Sequence, residues 1–249
     1  MTVPAENPDP LQYDADIASA AALIADSTRA AILQALLPDR PLAAGELARL
    51  AGVSAATASF HLGKLLDGAL ITVIRQGRHR YYRLAGHEVA AALEALGLIS
   101  PGLPVRSLRQ SREAAALAEA RTCYDHLAGR AGVGLMDGLL RRGLLEEKSG
   151  RTGRGDTSSH RFEVTGAGAK ELGSFGLNLL QIRRSRRQFA GTCIDWTQRR
   201  RHLNGALAAA ITSRMFELGW IEHGPRRRSV RVTPVGIEGL AGTFGVDLP

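Results

Sequence analysis

A pattern of three helices, with a glycine turn between the last two, and a hairpin between residues 27 and 84 constrains the fold more than any other feature of the chain. Apolar residues recur at helical spacing through 44–51 and again through 55–67. Gly52 can adopt the left-handed conformation that ends one helix, and Ser54 can cap the next. The exposed face expected for the helix at 55–67 is small and polar near its start, as insertion into the major groove of DNA requires. The pattern therefore predicts a helix-turn-helix.

Two short alternating segments around Gly77 follow, and they predict a β-hairpin, or wing, after the helix at 55–67. Seven basic and two acidic residues lie between 40 and 85, in a chain whose net charge is +8. Such an excess favours an anionic partner, and arginines on a wing suit DNA phosphates or the minor groove. The predicted DNA contacts are Ser54, Ala56, Thr57, Ser59, His61 and Lys64 in this helix and its cap and Arg75, Arg78, His79 and Arg80 in the wing.

Four motifs identify this region: Glu46-Leu-Ala-Arg-Leu-Ala-Gly-Val-Ser54, Ser59-Phe-His-Leu62, Lys64-Leu65 and Gly77-Arg-His-Arg-Tyr-Tyr-Arg-Leu84. Together they closely resemble the ArsR/SmtB family of transcriptional regulators. The resemblance covers residues 15 to about 97 and implies a homodimer paired through the first and last helices of the domain, at about 14–25 and 87–96. It also implies a palindromic operator and repression that a signal relieves.

The metal ligands of some members of that family are absent from the corresponding positions of this sequence. Residues 48–50 read Ala-Arg-Leu where certain members carry a Cys-x-Cys pair. Other members place Asp, His, His and Glu along the dimer helix, where this chain offers only His87, Glu88 and Glu94. If the protein responds to a signal, the signal must therefore be sensed elsewhere in the chain.

The second half of the chain contains an internal repeat, which indicates a duplication. Cys123-Tyr-Asp-His126 matches Cys193-Ile-Asp-Trp196, and a six-residue insertion at 197–202 separates the second motif from the next match. The remaining matches pair Leu127-Ala-Gly129 with Leu203-Asn-Gly205, Gly143-Leu-Leu-Glu146 with Gly219-Trp-Ile-Glu222, Phe162-Glu-Val-Thr165 with Val230-Arg-Val-Thr233, Gly168 with Gly236, and Phe175-Gly-Leu-Asn-Leu179 with Phe244-Gly-Val-Asp-Leu248.

We therefore predict a mainly α fold with small β-hairpin wings, in which an N-terminal winged helix-turn-helix precedes two tandem winged-helix-like repeats. A basic loop in each repeat is either a solvated turn or an accessory phosphate contact. The predicted ranges are 14–97 for the winged domain, 98–112 for a linker, 113–180 and 181–249 for the repeats, 127–142 and 203–218 for their main helices, and 151–161 and 226–231 for the basic loops.

The paired Cys-x-Asp loops are the candidate effector site. Twofold packing of the repeats would bring the two loops together, so that their thiols, carboxylates and imidazole could hold a thiophilic metal ion such as Zn²⁺. The thiols could instead form a reversible disulfide, or an organic effector could lie against Tyr124, Trp196 and Trp220. The cysteines could equally be simple buried residues, with each Asp capping a helix that begins at His126 or Trp196. The candidate effector residues are Cys123, Asp125, His126, Cys193, Asp195 and Trp196.

Composition limits the class of protein further. Two cysteines are too few for a secreted disulfide framework, and the first residues lack the basic and apolar segments of a signal peptide, so we expect a cytoplasmic protein. Cys123, Asp125 and His126 stand too close in sequence to serve as nucleophile, orienting group and base, so we expect no enzymatic activity. The sequence predicts a signal-responsive transcriptional regulator, and an architectural DNA-binding protein without an effector is the alternative.

Overall fold

The computed structural model describes residues 15–102, 104–148, 161–225 and 228–248. Asp14, at the start of the predicted winged domain, lies outside these ranges, as do most of the first basic loop and residues 226–227 of the second. No helix in the described ranges is both long and apolar enough to cross a membrane.

The first part of the chain is a winged helix-turn-helix, as predicted. Strand β1 joins the hairpin β2–β3 in an antiparallel sheet of order β1-β3-β2, and helices α2, α3 and α4 pack on it around a core that includes Leu33, Leu47 and Leu62. The elements are α1 (Ile17–Ala25), α2 (Ser27–Leu36), β1 (Leu42–Ala43), α3 (Ala44–Ala51), α4 (Ala55–Asp67), β2 (Ile71–Gln76), β3 (His79–Leu84) and α5 (His87–Ile99).

Local chemistry sets the turns of this domain. Gly52 ends α3 with φ +67°, and the Ser54 hydroxyl accepts a hydrogen bond from the Thr57 amide at 3.1 Å to start α4. Gly77 opens the two-residue turn of the wing with φ +58°, a conformation that favours glycine. Buried Arg29 donates to the carbonyls of Ala22 and Leu23 and thereby ties the end of α1 to α2.

The second half alternates hairpins and helices. Helix α6 begins at Leu108, so the second part of the predicted linker is helical rather than irregular. The elements are α6 (Leu108–Glu119), β4 (Arg121–Cys123), β5 (His126–Ala128), α7 (Gly129–Arg141), β6 (Leu145–Glu147), β7 (Phe162–Val164), α8 (Gly166–Ser174), α9 (Leu179–Arg183), β8 (Gly191–Ile194), β9 (Arg201–Asn204), α10 (Gly205–Glu217), β10 (Ile221–His223), β11 (Val230–Val232) and α11 (Pro234–Phe244).

Each copy of the repeat has the order hairpin, helix, hairpin, helix. The first hairpin of each copy was not predicted. Because of it, the main helices begin two residues later than the predicted 127 and 203, at Gly129 in one copy and at Gly205 in the other. Both glycines have positive φ, and a Cβ on Gly129 would lie 2.9 Å from the carbonyl oxygen of Ala118. The expectation that helices begin at His126 and Trp196 was wrong, because the first of these residues pairs within a strand and the second lies in a hairpin loop.

The two copies interlock around one core. Helix α7 of the first copy packs on β9 of the second, and α10 of the second packs on β5 of the first. The Leu127 amide in β5 donates a buried hydrogen bond to the Thr212 hydroxyl in α10 at 3.0 Å. This exchange places the hairpins β4–β5 and β8–β9 side by side, with strands β5 and β9 in contact.

Candidate nucleic-acid interface and Cys/His cluster

The first candidate surface is the exposed side of α4. Ala56, Thr57, Ser59 and Lys64 are all exposed there, as the sequence predicted, and the side chain of Ser54 stays at the helix start as its cap. Phe60 lies on the same side, 59% exposed, with the Lys64 ammonium 4.6 Å from the centre of its ring. The surface therefore combines small polar groups with one apolar ring and one cation.

His61 does not belong to this exposed surface, which corrects the prediction. Its side chain is nearly buried, and its Nδ1 lies 3.5 Å from the Asp26 carboxylate at the start of α2. The buried positions of α4 include Ala58, Leu62 and Leu65, and residue 61 falls on that same stripe of the helix. His61 thus packs α4 against α2 instead of contributing to the exposed polar surface.

The wing carries the second group of predicted contacts. Arg75, Arg78, His79 and Arg80 are all exposed around the turn. Within the described residues none of the three guanidinium groups has an ion-pair partner, although the His79 ring packs at 6.3 Å from that of Tyr81. Three unpaired cations on one exposed hairpin are suited to a polyanion.

The second candidate site is a cluster of two cysteines and two histidines. Cys123, His126, Cys193 and His202 each present one ligand atom, and these four atoms all lie within 4.8 Å of one another. Cys123 is 3% exposed, and His126 and His202 are each 1% exposed. Both cysteines are free thiols. We refer to these four residues as the Cys/His cluster.

The strand registers explain the cluster and reveal a residue that the sequence analysis missed. Cys123 pairs with His126 across the first hairpin, and Cys193 pairs with His202 across the second. His202 is therefore the structural equivalent of His126, whereas the sequence alignment gave that place to Trp196. Moving the six-residue gap to 196–201 would have aligned His126-Leu-Ala-Gly with His202-Leu-Asn-Gly and identified the residue.

The two predicted carboxylates lie beside the cluster and have different partners. Asp125 accepts from Arg187 and contacts Nδ1 of His126 at 3.3 Å. Asp195 forms a fully buried ion pair with Arg121 at 2.9 Å. The hairpin loops differ in length, so the carboxylates point in different directions.

The three predicted aromatic residues have separate partners as well. The Trp196 ring stacks 4.6 Å from the Arg121 guanidinium, while Trp220 packs on Phe175 at 5.2 Å. Tyr124 instead packs against the core of the winged domain. They do not share one aromatic wall of the kind that the organic-effector hypothesis assumed.

Electrostatics at the cluster favour one thiolate and a neutral imidazole. A hydrogen bond to Cys193, with burial, raises the pKa of Cys123, and the same bond lowers the pKa of Cys193, further helped by the nearby His126. The Asn204 amide donates to the Cys193 sulfur at 3.0 Å. Burial lowers the pKa of His202 to about 3, so this ring is neutral at neutral pH.

Comparison with known proteins finds a family model that matches part of the winged domain and a relative that aligns with most of the chain. A model of a helix-turn-helix domain matches residues 24–74. The "uncharacterized HTH-type transcriptional regulator YdfF" of Bacillus subtilis (strain 168) is 43% identical over 221 residues, which are 89% of this chain and 93% of that protein.

Two solved structures match about a third of the chain. NolR from Sinorhizobium fredii is 30% identical, covering 34% of this chain and 85% of its own, with a TM-score of 0.32. The homodimeric winged helix-turn-helix DNA-binding domain Mb0332 of Mycobacterium bovis, described as an ArsR-family candidate, is 31% identical, covering 33% and 76%, with a TM-score of 0.31.

Proposed function

The chain belongs to the helix-turn-helix transcriptional regulators. We propose that it binds a palindromic operator as a homodimer and represses transcription there, and that a signal sensed in its C-terminal repeats releases it from the DNA. The observation that carries the DNA-binding part is the pairing of an exposed, polar α4 surface with an adjacent wing whose three exposed arginines form no ion pair with any residue that the structure describes.

The division of labour follows from the chemistry of these groups. Thr57 and Ser59 stand in the first two turns of α4, where short hydroxyl side chains allow the helix to approach base edges in the major groove. Arg78 and Arg80 lie on the wing and supply charge to phosphates, which adds affinity without selecting a sequence. We propose that the first pair determines the operator sequence and the second pair strengthens binding to any duplex.

Exposed apolar helices support the homodimer. No residue of α1 is buried, although every residue of this helix except Ser19 is apolar. Helix α5 exposes Leu96 and, at 80%, Ile99, one turn apart. A second copy that covers both helices would remove this apolar surface from water.

Contacts between the repeats and α5 support release by a signal. Glu94 of α5 is buried and pairs with Arg228, which precedes β11 of the second copy. A conformational change in the repeats would therefore act on α5, the helix that we assign to the dimer interface. The distance between the two α4 helices of the dimer depends on this interface, and it must match the spacing of the operator half-sites.

A binding experiment on the full-length protein tests the proposal. Operators are first selected from random duplexes, and we expect two half-sites related by a twofold axis, about 10 base pairs apart. Fluorescence anisotropy then measures affinity for the selected and for unrelated duplexes over a range of salt concentrations. Arg78→Ala should weaken both duplexes alike and lower the salt slope by about one unit.

Ser59→Ala should instead reduce the ratio between the selected and unrelated duplexes, leaving the salt slope intact. Arg109→Ala is the matched control, because Arg109 is an exposed arginine on α6, outside the winged domain, and should leave both quantities unchanged. Equal loss of selectivity from Arg78→Ala and Ser59→Ala would refute the division of labour. Failure to select any sequence would refute the proposal as a whole.

A further inference from the structure

We propose that Cys123, His126, Cys193 and His202 bind one tetrahedral Zn²⁺ or similar thiophilic cation between the two repeats, and that loading of this site lowers the affinity for the operator. The second half of this proposal rests on the proposed function, because it names the signal that releases the DNA. The first half concerns metal binding alone and is tested separately.

The geometry of the ligand atoms is the first support. Two sulfurs and two imidazole nitrogens around one ion are a common ligand set of tetrahedral zinc sites, with bonds of about 2.3 Å to sulfur and 2.0 Å to nitrogen. Such bonds place neighbouring ligand atoms about 3.3–3.8 Å apart. The four atoms here already lie within 4.8 Å of one another, so closure requires no pair of ligand atoms to approach by more than about 1.5 Å.

Unpartnered nitrogens are a second and independent support. His126 Nε2 and both ring nitrogens of His202 are buried and have no hydrogen-bond partner within the described residues. A buried polar atom without a partner is rare in folded proteins and costs stability. A cation bound to one nitrogen of each ring would give His126 Nε2 a partner and satisfy one of the two on His202.

The surroundings of His126 resemble the outer shell of a metal site. Its Nδ1 faces Asp125 at 3.3 Å, and Asp125 is held in turn by Arg187. A carboxylate on one nitrogen orients the ring and increases the basicity of the other, which is the arrangement around histidine ligands in many metal sites. This leaves Nε2 of His126 for the cation.

Charge balance favours a divalent ion. Metal binding releases the proton of the Cys123 thiol to solvent, so the ligands become two thiolates and two neutral imidazoles, and a divalent cation neutralises their charge of −2 inside the buried site. The pairs come from equivalent cross-strand positions in the two copies, so each copy supplies one sulfur and one nitrogen. The cation would thus join the copies at the point where their hairpins meet.

Tyr124 connects the cluster to the winged domain. It lies between Cys123 and His126 in the turn of the first hairpin, with φ +59°, a conformation that is unfavourable for tyrosine. Its ring packs on the core of the winged domain, at 6.2 Å from His87 at the start of α5, and its hydroxyl interacts electrostatically with Asp39 before β1.

Two further contacts connect the same hairpins to α5. Arg228 bridges Glu94 in α5 and the carbonyl oxygen of Thr122 at 3.1 Å, next to Cys123. From the second hairpin, the Trp196 ring lies against Gly97 of α5. Contraction of the cluster around an ion would therefore move the turn and the strands on which α5 rests, and this couples the cation to the operator.

The experiment uses full-length protein freed of metal by a chelator under reducing conditions. Co²⁺ is added as a spectroscopic probe, and Zn²⁺ is then titrated against a chromophoric chelator. We expect one ion per chain, the ligand-field absorption of tetrahedral Co²⁺ with sulfur charge-transfer bands, and displacement of Co²⁺ by Zn²⁺. Octahedral Co²⁺ without sulfur bands would overturn the site.

His202→Gln removes one ligand and should weaken Zn²⁺ binding about a hundredfold or more, with loss of the tetrahedral spectrum. His223→Gln is the matched control, because His223 is an exposed histidine that stacks on Phe216 away from the cluster. If His202→Gln does not fold, the wild-type protein still decides the question, since bound Zn²⁺ should protect both thiols from alkylation. Unprotected thiols, or a disulfide formed in preference to metal binding, would overturn the site.

Operator binding by the same samples separates the two halves of the proposal. Zn²⁺ should lower the affinity of the wild-type protein about five- to hundredfold and leave His202→Gln unaffected. Unchanged or increased operator affinity of the metal-loaded protein would overturn the regulatory role while leaving the metal site in place. Absence of sequence-specific binding even without metal would mean instead that the proposed function is wrong.

Discussion

Asp195→Asn should destabilise the second half of the protein by about 3–5 kcal/mol, because it breaks a buried ion pair without changing the volume of the side chain. Asp195 and Arg121 are both fully buried and lie 2.9 Å apart. The carboxylate also accepts hydrogen bonds from the amides of Gly129, Thr197 and Gln198 and from the Thr197 hydroxyl. An asparagine amide would direct N–H groups at some of these donors and leave the guanidinium unpaired.

The pKa of Asp195 gives a second measure of the magnitude. Burial raises this pKa, but Arg121 and the hydrogen bonds from Thr197, Gln198 and Gly129 outweigh burial and lower it to about 2, against an ordinary value of 3.8. The difference corresponds to about 2.5 kcal/mol of stability at neutral pH. Because the folded pKa is depressed, this stabilisation is complete well above pH 4 and is lost as the pH falls through 2.

Tryptophan fluorescence is the appropriate assay, because both tryptophans of the chain, Trp196 and Trp220, lie in the second half. Urea unfolding at pH 7 gives the free energy of unfolding of this half for wild type and variant. Asp137→Asn is the matched control, since Asp137 pairs with Arg200 at 2.8 Å on the surface and should contribute less than about 1 kcal/mol. Equal losses from the two variants would refute the reasoning.

Two further predictions concern packing and assembly. Gly236→Ala should lower the free energy of unfolding of the second half by about 2 kcal/mol or more in the same urea assay, because a Cβ would lie 1.9 Å from the Trp220 carbonyl oxygen. Gly242→Ala in the same helix is the control: its Cβ would meet no described atom within 4 Å, so this variant should be neutral or stabilising. Ile99→Glu should raise the dissociation constant of the dimer about ten- to hundredfold, as measured by sedimentation. Leu180→Glu, at an equally exposed position on α9, should leave this constant unchanged. Equal effects of the two variants would contradict a dimer formed through α5.

The winged domain could be predicted from sequence because its signals are local. The cap at Ser54, the left-handed Gly52 and the turn at Gly77 act over a few residues, so the sequence around each one determines the structure there. His61 was misplaced because adjacent residues of a helix differ by about 100° in direction. The sequence does not indicate the edge of the buried stripe to that precision.

The Cys/His cluster could be predicted only in part because it depends on strand register. Repetition indicated that Cys123 and Cys193 are equivalent, but the partner of Cys193 is set by a hairpin whose loop is longer than that of the first copy. Loop length also separated the carboxylates, so that Asp125 remains beside His126 while Asp195 pairs with Arg121. The six-residue insertion revealed the longer loop in the sequence, but its exact position within the hairpin and the contacts of the loop have no signature in the amino-acid pattern.

The interlocked packing of the repeats has a consequence for how the chain folds. The Leu127 amide finds its acceptor on Thr212, 85 residues later, and the Gly129 amide finds its acceptor on Asp195. During synthesis, the hairpin β4–β5 therefore emerges before α10, the helix that packs on it, and it cannot complete its packing until α10 has left the ribosome. Contacts of such sequence separation slow folding and make the two copies one cooperative unit. Neither copy is thus an independent module that could be transplanted alone into another protein.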